Sequence, residues 1–247
     1  MLAAPAAGRS SSTGRWIVWL ALAALAALSW FGLLAIPMPM PGDSGVRALP
    51  YGALTFAMWF VMMIAMMTPS VAPTVLLFDR VARRDSGPTG LLRSAAFAAG
   101  YFSAWAGFSA VATLLQIALI ELSVIDTMGA TTVRWATAAL LGGAALYQFM
   151  PAKQACLQHC RSPAEFIAGH FRRGLPGAWR MGAEHGLLCL GCCWALMLLL
   201  FVGGVMNLMW VAGLTIVVML EKLAPGGEYL RLLVAAGLLC AAVATLI

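Results

Sequence analysis

Seven apolar runs, each near the length that crosses a bilayer, dominate this chain and leave it few ways to fold. They lie at about 16–36, 54–78, 94–120, 133–150, 187–204, 206–222 and 230–247. A helix needs about 20 apolar residues to span the hydrocarbon core. In lipid, a backbone that cannot bond to water must bond to itself, so a spanning segment is a helix or part of a closed barrel. No run shows the alternating ten-residue pattern of a barrel strand. The expected fold class is therefore all-α, a polytopic transmembrane bundle of about seven helices. The fifth and sixth runs, parted only by "GGVMN" at 203–207, read as a tight helical hairpin.

Composition excludes a soluble domain. Of the 247 residues 62% are hydrophobic and 10% charged, and the mean hydropathy is +0.91. A soluble chain carries about a quarter charged residues. The net charge of +6 does not point to nucleic acid, because the basic residues are few and sit between apolar runs. There they would set orientation. With the N-terminus in the cytosol, thirteen of the fifteen Lys and Arg fall in inside segments, and only Arg47 and Arg134 fall outside. The C-terminus is then outside. Residues 1–15 read as a cytosolic tail. The run after them is longer than a signal-peptide core and lacks a small-residue cleavage site. Residues 16–247 read as one transmembrane domain with a cytosolic loop at 151–186. A connection of that length is often functional.

Three stretches carry candidate chemistry. The second run contains "MWFVMMIAMMTPS", in which Met58, Met62 and Met66 share a helix face and Met63 and Met67 form a row beside it. Thioethers are soft donors that suit Cu(I), although methionine also fills apolar gaps. The second stretch, "KQACLQHCRSP", places Cys156 and Cys160 at i, i+4 with His159 beside them. These two cysteines share a face if the fourth helix continues past the membrane. The third, "CLGCCWALM", places Cys189 and Cys193 at i, i+4, with Cys192 near the same face. The charge count puts both cysteine groups at the cytosolic side, in the first turns of the fifth helix and at the end of the fourth. Thiols there are kept reduced, so grouped cysteines point to metal or catalysis rather than disulfides. Cys189 and Cys193 are the favoured ligands of the run. Glu221 is a further candidate, although "EK" at 221–222 also reads as a helix-end pair facing water. Cys240 stands alone and reads as packing.

The blocks "MWFVMMIAMMTPS", "CLQHCRSP", "CLGCCWALM" and "GVMNLMWVAGLTIVVMLEKL" together resemble a bacterial family catalogued as a domain of unknown function, family 2182, and described as predicted metal-binding integral membrane proteins. The resemblance runs from about 50 to 225. It implies a metal site on Cys156, Cys160, Cys189, Cys192 and Cys193 with Glu221. His159 lies outside the family pattern. The resemblance implies neither a reaction nor a defined substrate.

The expected function is binding of a soft metal, Cu(I) ahead of Zn, for transport, delivery or sensing in the bacterial cytoplasmic membrane. Cys156, Cys160, Cys189, Cys193, Cys192, His159, Glu221, Met62 and Met66 make up the candidate ligand set. The partners would be the lipid bilayer and a metal-receiving protein, with no nucleic acid. Catalysis is not the favoured class. Two alternatives remain. Cys189-x-x-Cys192 has the spacing of a thiol-disulfide oxidoreductase, or the cysteines merely pack in a structural membrane protein.

Overall fold

The computed structural model describes residues 12–35, 49–86 and 89–247. Most of the tail expected at 1–15, and the segment carrying Arg47, lie outside the described residues. Ten helical segments follow in order: α1 (Ser12–Ala35), α2 (Leu49–Ser86), α3 (Gly90–Glu121), α4 (Arg134–Phe149), α5 (Pro151–Arg161), α6 (Pro163–His170), α7 (Gly174–Leu198), α8 (Leu200–Gly203), α9 (Leu208–Leu223) and α10 (Gly227–Ala244). Among the described residues there is no strand, only an isolated bridge between Ile125 and Thr131. All seven apolar runs are helical, as expected. Among the described residues five helices are long and apolar enough to cross a membrane: α1, α2, α3, α7 with its short continuation α8, and α10. The other two, α4 and α9, have 16 residues each.

The connection at 151–186 is helical rather than a loop. It forms α5, α6 and the first half of α7. Pro151 is the reason α4 does not run on. Proline disfavours helical backbone at the residue before it, and Met150 is extended at φ −67° and ψ 135°. The chain turns there and restarts with Pro151 at the head of α5, where a missing N–H costs nothing. Pro163 restarts α6 in the same way. α7 begins at Gly174 rather than near 187, because Arg180 and Glu184 sit on a continuous helix and pair across one turn at 3.3 Å. Cys189 therefore lies roughly 22 Å along that helix and not in its first turns. The short "GVMN" connection is a tight hairpin. Gly204 takes φ +90°, and the side chain of Asn207 caps α9 by accepting from the Trp210 amide at 3.2 Å.

Glycine sets the centre of the bundle. α3 packs most closely on α7. A Cβ on Gly100 would run into the carbonyl of Trp179, and one on Gly182 into the carbonyl of Phe97. One on Gly186 would stand 2.7 Å from the Tyr101 carbonyl oxygen. Ala178, Gly182 and Gly186 form the small-xxx-small pattern that lets two apolar helices approach backbone to backbone. Around this pair α2 packs on α3, α1 on α2, and α4 on α10.

Polar groups are turned inward and many large apolar side chains face out. Trp59, Gln116, Ser109, Lys153, His185, Glu221 and Lys222 are buried, while Leu20, Phe31, Leu34, Leu114, Leu146, Met209 and Leu233 are exposed. Trp59 donates its indole N–H to Gln116 Oε1 at 2.7 Å. At one end of α2, Arg83 pairs with Asp79, Arg93 and Arg173 with Asp85, and Arg172 with Glu184. An outward apolar surface of this kind matches lipid rather than water.

The glycine contacts carry a prediction. Gly182→Val overpacks α3 against α7 and lowers stability by about 1–3 kcal/mol or more. At Gly213 nothing lies within 4 Å of an added Cβ, so Gly213→Ala is neutral or gains roughly 0.5–1 kcal/mol. Thermal unfolding in detergent compares the two. A Gly182→Val protein as stable as wild type would refute the close-packed contact.

Candidate metal centre

Five helices meet at one group of sulfur atoms. The Sγ atoms of Cys160 on α5 and of Cys189 and Cys192 on α7 all lie within 4.8 Å of one another. Cys160 and Cys192 are 3.9 Å apart. Three sulfurs around one ion at a bond length of about 2.3 Å would stand about 4 Å apart if trigonal. The triplet is therefore close to the dimensions of a three-thiolate site. Cys189 and Cys192 are buried and Cys160 is partly so.

α7 supplies two of the thiols because residues three apart share a helix face. The Cys192 and Cys193 thiols each donate to the Cys189 carbonyl at 3.0 Å, which fixes their rotamers. α5 reaches α7 through Gly191, where a Cβ would stand 2.7 Å from Cys156 Sγ. The Gly191 carbonyl accepts the hydroxyl of Tyr147. The glycine inside "CLGCC" is thus the place where the short helix docks.

A lysine and a tyrosine complete the centre. Lys222 Nζ on α9 lies 2.9 Å from Cys189 Sγ, 3.5 Å from Ser70 Oγ, 3.9 Å from Met67 Sδ and 4.0 Å from Cys193 Sγ. Tyr101 OH on α3 is 2.8 Å from Cys189 Sγ. An ammonium has three donors and no acceptor, so it supports a thiolate without being a ligand. Cys160 and Cys156 sit on α5, outside the long apolar helices. Hydrogen bonding with Cys189 and Cys192, and then burial, push the Cys160 thiol well up from its ordinary value. Burial, and then Cys192, raise that of Cys156. Both therefore hold protons at neutral pH, which binding of a metal would displace.

The remaining expected ligands lie around the triplet rather than in it. Cys193 faces Lys222. Spacing favours Cys193 over Cys192, yet it is Cys192 that α5 approaches. Met62 and Met66 are buried in the apolar core, and Met67 is the thioether that reaches the centre through Lys222. His159 is exposed and bonds Nδ1 to the Ala155 carbonyl of its own helix at 2.8 Å. Glu221 does not face water beside Lys222. It is buried, accepts Lys153 Nζ at 2.7 Å, and accepts the Gln148 amide at 3.0 Å. Arg231 in turn donates to the Gln148 carbonyl. Cys240 is exposed and not packed, on a face of α10 away from the core.

Lys222, Tyr101 and Ser70 are the residues that sequence reasoning missed. Lys222 had one signal, a charge next to an acid at the end of an apolar run. Adjacent residues point about 100° apart on a helix, so Glu221 and Lys222 serve different networks. Tyr101 carried no signal, since its partner is 88 positions away.

A helical bundle in which three thiols converge fits a metal-handling role. The chain belongs to the PpoB2 family, described as copper chaperones, whose family model matches residues 56–245. Comparison with curated proteins and with solved structures returned no match.

The buried ion pair is testable. Lys153→Met leaves the Glu221 carboxylate buried without its cation and costs about 3–5 kcal/mol. Adding Glu221→Leu recovers a large part of that loss. Chemical unfolding of the single and double variants in detergent measures both. A double variant no more stable than the single one would show that the charges do not act as a pair.

Proposed function

We propose that this protein is a multi-pass protein of the bacterial cytoplasmic membrane that takes up Cu(I) as cargo at Cys160, Cys189 and Cys192 and hands it to a metal-receiving protein. The observation that carries the reading is the convergence of three thiols within 4.8 Å in a chain of the copper chaperone family. Thiolate and thioether donors select soft ions. A zinc site closed for structure takes four ligands in a tetrahedron. Here the side of Cys189 facing α9 is taken by an ammonium at 2.9 Å that has no lone pair to offer. Three sulfurs within 4.8 Å of one another suit a three-coordinate ion, and Cu(I) accepts that number.

Lys222 also answers an electrostatic need. Three thiolates around a monovalent ion leave excess negative charge in a site of low dielectric, and a buried charge needs a partner. Tyr101 supplies a further donor to Cys189. Cys193, Cys156 and Met67 lie near enough to serve as receiving ligands as the ion enters or leaves. Glu221 serves this reading by holding α5 through Lys153, not by ligation. His159 stands apart from the triplet. The oxidoreductase alternative accounts for Cys189 and Cys192 but not for Cys160, which lies in the same group of sulfurs.

The test is metal analysis of protein purified under reducing conditions. Wild type is expected to hold about one copper per chain with an all-sulfur shell in X-ray absorption. The variant Cys160→Ser, Cys189→Ser, Cys192→Ser loses it, and Cys240→Ser keeps it. Equal copper in wild type and the triple variant, or stoichiometric zinc in place of copper, would defeat the proposal.

A further inference from the structure

Arg231 is a buried cation that the thiol centre does not use. The other buried cations each meet an acid or a thiol. Arg93 pairs with Asp85, Lys153 pairs with Glu221, and Lys222 lies against Cys189. Arg231 on α10 is only 8% exposed and forms no ion pair among the described residues. It donates to the Gln148 carbonyl. A guanidinium carries five N–H donors, so most of them are left over. A buried charge is costly without a charged partner.

Arg231 borders a hollow of about 50 Å³ between α5 and α10. A cavity needs roughly 10–15 Å³ to hold one water, so this one takes a group of several heavy atoms. Gln154, Leu157, Gln158 and Arg161 line it from one face of α5, and Glu228 lines it from α10. Arg161 is the second cation there. It donates to the Ala224 carbonyl at 2.9 Å and forms no ion pair among the described residues. A Cβ on Gly227 would stand 3.2 Å from Arg161 Nη1. The bare glycine thus lets that guanidinium lie against the first turn of α10. Gly227 and Arg231 are i, i+4 and share a face of α10, so the two guanidiniums approach the hollow from two helices. The first turn adds to their field. Its N-cap, Gly226, offers no side-chain acceptor, and the amides there carry the positive end of the helix dipole. Glu228 is exposed and pairs with neither arginine among the described residues. Two cations and one carboxylate leave the hollow with one positive charge in excess.

We propose that Arg161 and Arg231, at the start of α10, bind one singly charged phosphate group, either the phosphodiester of an anionic phospholipid or monobasic phosphate from solution. Guanidinium donors match phosphate oxygens in geometry and charge. A doubly charged phosphate would meet Glu228 at greater cost. The surroundings suit a lipid. The charge count places the start of α10 at the cytosolic surface, and Tyr229, Leu232 and Leu233 are exposed in its first turns. Basic pockets between spanning helices at that surface suit anionic headgroups, and tyrosine suits the headgroup level. A phosphate held there bridges α10 to α5, the helix that carries Cys160. The site does not depend on the copper reading.

The test uses the full chain, stripped of lipid in a neutral detergent. Binding of phosphatidylglycerol, phosphatidylcholine and inorganic phosphate is read from mass spectra of the intact complexes and from thermal stability. Wild type is expected to retain phosphatidylglycerol in preference to phosphatidylcholine. Arg161→Gln binds it at least about tenfold more weakly, the order of change for losing one charged hydrogen-bond partner. Arg80→Gln, which removes an exposed arginine of α2, leaves binding unchanged, and Glu228→Gln tightens it. Arg231→Gln weakens binding too, but it also disturbs a buried position, so Arg161→Gln carries the test. Protection of wild type by inorganic phosphate, lost in Arg161→Gln and with no preference between the lipids, assigns the site to free phosphate. Equal retention of the two lipids without protection by phosphate overturns the site. So does equal weakening by Arg161→Gln and Arg80→Gln, or by neither.

Discussion

The backbone contact between α3 and α7 is the constraint on which the rest depends. Where the surroundings of a helix are as apolar as its side chains, burial of apolar surface does not drive helices together, and close packing must do so. Gly100, Gly182 and Gly186 remove the side chains that would hold α3 and α7 apart. The same stripe continues along α7 as Cys189 and Cys193, at the four- and three-residue steps that keep one helix face. Cysteine is small enough to stay in such a seam. Tyr101 on α3 therefore meets Cys189 on α7 because Gly186 has already brought the Tyr101 backbone within reach.

Charge positions the other half of the centre. Lys153, Leu157 and Cys160 occupy the buried face of α5. Lys153 anchors that face to Glu221 on α9, and Arg161 donates to the Ala224 carbonyl just beyond α9 at 2.9 Å. The next residue, Lys222, points instead at Cys189. α9 thus holds α5 in place with one side chain and reaches Cys189 with the next. A buried pair of this kind is weak evidence for stability by itself, because desolvation offsets its attraction. Its consequence here is geometric. It sets where along α7 the short helix lies, and so which cysteine meets Cys160.

Much of this was legible in the chain. The seven apolar runs had to be helices, and the cysteine blocks at 156–160 and 189–193 do meet. The "GVMN" turn was legible because glycine and asparagine have specific work there, a φ of +90° and a helix cap. What was not legible has physical causes. At 100° per residue, position i+4 lies about 40° and position i+3 about 60° from the starting residue, so spacing favoured Cys193 over Cys192 by a margin too small to decide between them. The direction from which α5 arrives decides it, and that depends on Pro151, Gly191 and Lys153 together. The start of α7 was misplaced because Arg180 and Glu184 lower the hydropathy of its first half, although they merely pair with each other on a continuing helix. Lys222 read as a surface cation because its thiol partners come from another helix 29 and 33 positions away.

The triplet is asymmetric in a way that bears on its proposed use. Two of its thiols, Cys189 and Cys192, belong to α7, a helix locked to α3 by backbone contact. The third belongs to α5, an 11-residue helix fixed by an ion pair and by its docking at Gly191. Transfer of an ion by ligand exchange removes ligands one at a time, so the first bond to break sets the direction of exit. Separating α5 from α7 opens the triplet at Cys160 alone and leaves the other two sulfurs in place beside Lys222. A centre built from one rigid helix and one docked helix thus has its opening at the docked helix, α5. An ion held by three sulfurs of a single rigid element would have no such opening.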